Sequence, residues 1–276
     1  MEETKSNAAT ASGLTPRQRI NHIVRWLKQY ARSAKIDTFV VGISGGIDSS
    51  VVSALCAATG LKTIVVQMPI RQNKKLDNRS SMQAAWLRER YPDTVTHISM
   101  DLTPVFSAFE KKVEPVCRDS DSITLAFANS RSRLRMMTLY QIAQSHGGIV
   151  VGTGNKVEDF GVGFFTKYGD GGVDVSPIGD CMKTEVWDMG REFGLPQEII
   201  DAPPTDGLWD DSRTDEDQLG MTYPELERMM VIDRKGPDIK LSADERRKLK
   251  RYQELHKRNK HKMDPIPVCK MPESSV

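Results

Sequence analysis

The chain has 276 residues, 38% of them apolar and 28% charged, with a formal net charge of +2. That length accommodates one large domain or two small ones with a sizeable core, and the charge is too close to neutral to argue for nucleic acid or a membrane surface. No apolar run approaches the roughly 20 residues of a spanning helix, and the start lacks the apolar run of a signal peptide, so a soluble, cytoplasmic protein is expected. Cys56, Cys117, Cys181 and Cys269 form no C-x-x-C pair, which argues against zinc and against a disulfide framework.

Residues 1–14 read as a disordered start and 15–276 as a single domain with a C-terminal helical segment. Thr15-Pro16 is a helix start, a hydroxyl cap followed by proline. Ile20, Ile23, Val24, Leu27, Tyr30 and Ala31 then mark one helical face. The β-branched run 38–43 predicts a buried strand, 44–46 a turn, and 49–58 a helix stopped at Gly60. A strand over 61–68, a helix over 81–90, a strand over 94–100, a helix over 125–145 and a strand over 148–152 follow. Strands alternating with helices predict an α/β fold, a doubly wound, Rossmann-like parallel sheet with helices on both faces. Such sheets bind ligands at the carboxyl ends of their strands. Two of those ends, 44–50 and 153–156, are rich in glycine and polar residues. The last third is different. Residues 206–217 are acidic, with a solvated loop or a lid as the two readings, and 225–230 and 243–260 read as helices packed on the sheet.

The segment SGGIDSS, 44–50, joins a strand to a helix. Small residues let backbone N–H groups approach phosphate oxygens, and the helix adds its N-terminal dipole. No G-K-[ST] closes the loop, so it is not a Walker loop. Asp48 inside it suits phosphates only with a cation between, which points to Mg2+. Glu158, in the second polar stretch, is a carboxylate able to share that cation. The pattern S-G-G-x-D-S resembles the pyrophosphate loop of ATP pyrophosphatases.

SGGIDSS together with GTGNKVE, FFTKYGDGG and PIGDCMKTEV resembles the NAD synthetase family, from about Tyr30 to Lys262. The resemblance implies an ammonia-dependent ligase. ATP adenylylates the pyridine carboxylate of nicotinic acid adenine dinucleotide and releases pyrophosphate; ammonia then displaces AMP to give NAD+. It also implies a homodimer with substrate at the interface. Carried over by position, Gly42, Ile43, Ser44, Gly45, Gly46, Ile47, Asp48 and Ser49 hold ATP, with Thr153, Lys183 and Thr205. Asp48 and Glu158 take Mg2+. Arg133, Lys167, Asp174, His261 and Lys262 contact the dinucleotide, and Asp170 lies near the ammonia pocket. The catalytic set is thus Asp48, Glu158, Lys183 and Asp170. Arg131, Arg133 and Arg135 share one helix, and only one of them need face the site. Some relatives carry an amidohydrolase domain that draws ammonia from glutamine; none is expected within this chain. Two rivals stay open: another ATP pyrophosphatase, acting on tRNA or a nucleotide, and a nucleotide-binding regulator without catalysis.

Overall fold

The computed structural model describes residues 13–71, 74–118, 122–205, 214–236 and 240–271. The expected disorder of the start and most of the acidic 206–217 segment therefore lie outside the described residues.

Helix α1 (Pro16–Ala34) opens with a reciprocal cap. The Thr15 hydroxyl accepts from the Gln18 amide at 3.3 Å, and the Gln18 side chain accepts from the Thr15 amide at 2.9 Å. Strand β1 (Thr38–Ile43) leads through the glycine turn into α2 (Ile47–Ala57), then β2 (Lys62–Gln67), α3 (Lys74–Arg90) and β3 (Val95–Ser99). Helices α4 (Thr103–Val113) and α5 (Ile123–Ser145) precede the short β4 (Ile149–Val150). A π-helical turn (Val157–Val162) follows, then α6 (Lys183–Phe193), α7 (Gln197–Ile200), α8 (Asp215–Leu219), α9 (Tyr223–Lys235) and α10 (Ala243–Met263).

The four strands of the described residues are parallel, in the order β3-β2-β1-β4. Alternation along β1 divides its side chains between two cores. Phe39 and Val41 pack with α1, α2 and α6, while Val40 packs with β2, β4, α4 and α5 on the other face. The sheet is therefore covered on both sides, as parallel strands require. The chain turns back across β1 between β3 and β4, so β1 and β4 are neighbours whose connections run to opposite sides. Ligands bind at such a switch point.

Several elements depart from the sequence expectations. Strand β4 ends at Val150, and Val151, whose amide still donates to the Val40 carbonyl of β1, adds a lone parallel bridge to Val175. Helix α3 starts at Lys74 rather than 81. Helix α4, which the sequence reading did not name, buries only Phe106 of its apolar stripe. Helix α6 hides its period by burying Lys183 and Glu185. Glu185 meets Arg19 of α1 at 2.6 Å, with both side chains 4% exposed. The C-terminal helices do not rest on the sheet. Tyr223, Leu226 and Met229 of α9 and Tyr252 and Leu255 of α10 cluster with Val157 and Val162, without a strand residue. Among the described residues no helix is long and apolar enough to cross a membrane.

Leu55 of α2 is fully buried between the sheet and its helices. Leu55→Ala lowers the unfolding free energy by about 2–5 kcal/mol in a urea titration. Val116→Ala, at a position 82% exposed, changes it by less than about 0.5 kcal/mol.

Candidate active site

The turn after β1 is held from behind by α3. Gly45 has φ +74°, and a Cβ there would lie 2.5 Å from the Ser80 amide nitrogen and 2.7 Å from the Arg79 Cβ. Only glycine serves at this point. The Gly45 amide donates to the Gln83 side-chain oxygen at 3.1 Å, which also accepts from the Ser49 hydroxyl at 3.3 Å. Gln83 in turn donates to the Ser53 hydroxyl at 3.0 Å. This fully buried glutamine fixes the loop to the first turns of α2. Asp48 sits in the first turn of α2, where the helix dipole favours a negative charge.

Lys183, the first residue of α6 and only 2% exposed, lies between two carboxylates. Its ammonium group donates to Asp48 Oδ2 and, at 2.9 Å, to Glu158 Oε1. It also lies 4.7 Å from the Tyr223 ring centroid and 5.9 Å from that of Trp187, rings that meet edge to face. Glu158 Oε1 accepts from the Tyr223 hydroxyl at 2.5 Å. Asn155, fully buried, donates to Asp48 Oδ1 at 3.1 Å and accepts from the amides of Val157 and Glu158. Burial works to raise both carboxyl groups. The ammonium, joined at Glu158 by the Tyr223 and Asn155 hydrogen bonds, opposes it, so Glu158 falls below the usual carboxylate range while Asp48 stays above its own. Burial also works against the charged form of Lys183, but the two carboxylates outweigh it and raise its pKa.

These groups open onto a cleft of about 780 Å³ at the β1–β4 switch point. Gly42, Ile43, Ser44, Gly46, Ile47 and Ser49 line it, as do Thr153, Thr205 and Lys262; Gly45 lies behind the wall. Asp170 reaches the same cleft from the turn after the π-helical segment. Its Oδ1 accepts from the Ser132 hydroxyl at 2.6 Å and the Thr166 amide at 3.0 Å. The residue keeps solvent contact through the cleft, yet the crowding walls desolvate its carboxyl and push the pKa up. Asp159 also lines the cleft, and burial together with the neighbouring Glu158, Asp170 and Asp48 holds its carboxyl well above the usual range.

The expected dinucleotide contacts divide. Lys262 alone faces the cleft, and its ammonium donates to the carbonyls of Gly163 and Phe165 at 2.6 and 2.8 Å. Arg133, Lys167 and His261 form a chain beside it. The Arg133 guanidinium donates to the Lys167 carbonyl at 3.3 Å, and the Lys167 ammonium to the His261 carbonyl at 2.8 Å. Asp174 does not itself line the cleft; it accepts from the Tyr140 hydroxyl and from the amide of Val150, a lining residue, and supports the end of β4. Of the three arginines on α5, the one lining the cleft is Arg135. Asn155, Gln83, Arg79 and Tyr223 are site residues that the sequence reading missed. Asn155 stood inside a quoted motif, whereas nothing local marks Tyr223, which is far along the chain from Glu158.

A family model described as NAD synthase matches residues 19–266. The chain is 37% identical over 215 residues to the NH3-dependent NAD+ synthetase of Carboxydothermus hydrogenoformans, covering 78% of this chain and 85% of that protein. Among solved structures it is similar to the NMN synthetase of Francisella tularensis, at 30% identity and a TM-score of 0.80, covering 94% and 99% of the two chains. The NH3-dependent NAD synthetase of Campylobacter jejuni shares the fold at 19% identity and a TM-score of 0.74, covering 93% of this chain and all of the other.

Lys183→Met leaves two buried like charges side by side. Urea titration at pH 8 shows a loss of about 3–5 kcal/mol. The deficit shrinks towards pH 5, because the folded variant then binds protons on Asp48 and Glu158 that the unfolded chain binds less tightly.

Proposed function

Because the chain belongs to the NAD synthase family, we propose that it is an ammonia-dependent NAD+ synthetase, a ligase that forms an amide at the expense of ATP. One observation carries the reading: Lys183 sits between Asp48 and Glu158 beside a glycine loop at the carboxyl end of β1.

A carboxylate repels nucleophiles, so the pyridine acid must first become an acyl adenylate, a mixed anhydride with AMP. A carboxylate oxygen attacks the α-phosphorus of ATP and the bond to the β-phosphate oxygen breaks, releasing pyrophosphate. Ammonia then adds to the acyl carbon, AMP departs with its oxygen, and a proton is given up. The loop over residues 42–49 supplies amides and hydroxyls for the phosphates. Lys183 is positioned to transfer from the carboxylates to the departing phosphates and offset their charge. Asp170 attracts ammonium and takes its proton; both of its side-chain hydrogen bonds fall on Oδ1, which leaves Oδ2 for that task.

Asp48 and Glu158 also suit Mg2+. Their carboxylates converge on one cation already, and Mg2+ needs only one or two carboxylates when phosphate oxygens complete its shell. Bound there, the metal neutralises phosphate charge. Arg133, Lys167 and His261 lie beside the cleft and extend it outward. This placement supports a dinucleotide that runs out of the cleft onto a homodimer interface. The unit from residue 15 onward carries both steps, and a cytoplasmic location gives it its ATP.

A second acceptor has one observation behind it. The structural neighbour at 30% identity is named for making NMN, so the mononucleotide acid is the rival substrate. An end-point assay with ATP and Mg2+ separates the readings: it pairs each acid with ammonium or with glutamine. NAD+ and AMP formed from the dinucleotide and ammonium, and not with glutamine, are expected. A preference for the mononucleotide moves the assignment to an NMN synthetase, and no amide from either acid removes it. Asp170→Asn lowers kcat/KM for ammonium by about a hundredfold or more; full rate at limiting ammonium eliminates Asp170 as the proton acceptor.

A further inference from the structure

A phosphate loop without a lysine has to find its positive charge elsewhere. In a Walker loop the lysine that follows the last glycine reaches the β- and γ-phosphates; here that region reads Gly46-Ile47-Asp48 and brings a carboxylate instead. Among the described residues five basic side chains line the cleft: Arg79, Arg135, Lys183, Arg258 and Lys262. Lys183 is held by Asp48 and Glu158. Lys262 is bonded to two carbonyls, and Arg135 donates its Nε to the Met68 carbonyl at 3.0 Å. Arg258 is exposed on α10.

Arg79 and Arg135 each keep one buried guanidinium nitrogen without a hydrogen-bond partner, Arg79 Nε and Arg135 Nη2. Arg135 is nonetheless anchored through its Nε at Met68, whereas the Arg79 side chain makes no hydrogen bond among the described residues although it lines the cleft. Burial lowers its pKa, and no carboxylate of the described residues acts on it in the other direction. A buried guanidinium donor without an acceptor is a costly arrangement, and one in a cleft wall calls for an anion. Its position identifies the anion. Arg79 and Gln83 are four residues apart on α3, on one helical face. Gln83 grips the Gly45 amide, and the backbone of Arg79 and Ser80 packs directly beneath Gly45. Side chains on a helix lean towards its N-terminus, so Arg79 leaves α3 beside the loop at the end away from Ser53.

We propose that Arg79 is a phosphate-binding residue of this site, taking the β- and γ-phosphates of ATP at the glycine loop in the role a Walker lysine has elsewhere. The assignment rests on the ATP-dependent reading given above. It goes beyond that reading by adding a cation from α3, outside the loop, the α6 lysine and the carboxylate pair. Guanidinium geometry suits two oxygens of one phosphate, and Arg79 then joins Lys183 in offsetting charge on pyrophosphate as it leaves.

The test is equilibrium binding of ATP, inorganic pyrophosphate and AMP to the full chain by calorimetry, with no acceptor acid present, for wild type, Arg79→Gln and Arg79→Lys. Arg79→Gln is expected to weaken ATP and pyrophosphate by about ten- to a hundredfold and to leave AMP binding unchanged, which also reports an intact fold. Arg79→Lys recovers part of the loss. ATP affinity unchanged in Arg79→Gln overturns the proposal, as does equal weakening of ATP and AMP, the mark of a loop that has merely lost support. Wild-type protein that binds ATP but amidates neither acid removes the acceptor assignment and leaves the binding comparison standing; wild-type protein that binds no ATP removes both.

Discussion

The ammonium of Lys183, buried between Asp48 and Glu158, is the interaction around which the molecule is arranged. Three segments distant in sequence meet there: the start of α2, the π-helical turn and the start of α6. None of the three charges would be tolerated alone in such surroundings, because desolvation of an isolated ion exceeds what hydrogen bonds return. Together they satisfy one another, with Asn155 fixing the orientation of Asp48 and Tyr223 that of Glu158. The site is therefore part of the fold's electrostatics and not an addition to its surface. The same pair of carboxylates that holds the ammonium is the pair suited to a divalent cation, so charge at this point is exchanged between bound partners and is never left uncompensated.

How far this was readable in advance depended on whether the information was local. Strand β1 was legible to the residue because Thr38 to Ile43 is a short, mostly β-branched run buried on both faces. The glycine loop was legible because its composition has few other uses. Helix α6 was not, since the residues it buries include a lysine and a glutamate, and a period count treats both as outward-facing. The packing of α9 and α10 on the π-helical turn was likewise hidden, because an amphipathic helix declares that it has an apolar face but not what covers it.

The site residues divide in the same way. Asp48, Glu158 and Lys183 were marked by the motifs around them, and they do meet. The arginines on α5 were ambiguous in sequence. Helical spacing decides which residues share a face, but not which face turns to the cleft, and it is Arg135 that lines it. Tyr223 carried no local mark at all. Its role comes from the docking of α9 against the turn that bears Glu158, a contact between segments far apart in the chain.

The floor of the cleft has one further property. His256, Asn259 and Lys262 lie along one side of α10, and their side chains bond to the carbonyls of Gly161, Val162, Gly163 and Phe165. The helix thus grips the neighbouring segment by its main chain, which every amino acid shares. Mutational tolerance is for that reason divided unequally between the two sides of this contact. Positions 256, 259 and 262 must keep polar groups of fixed reach, whereas drift at Val162 and Phe165 costs nothing at these bonds so long as the backbone path is unchanged; Gly163 is the exception, since it has φ +64° and a Cβ there would lie 2.5 Å from the Asn259 Cβ. An evolving lineage can accordingly re-tailor the side chains that face its substrate without having to rebuild the clasp that holds them in place.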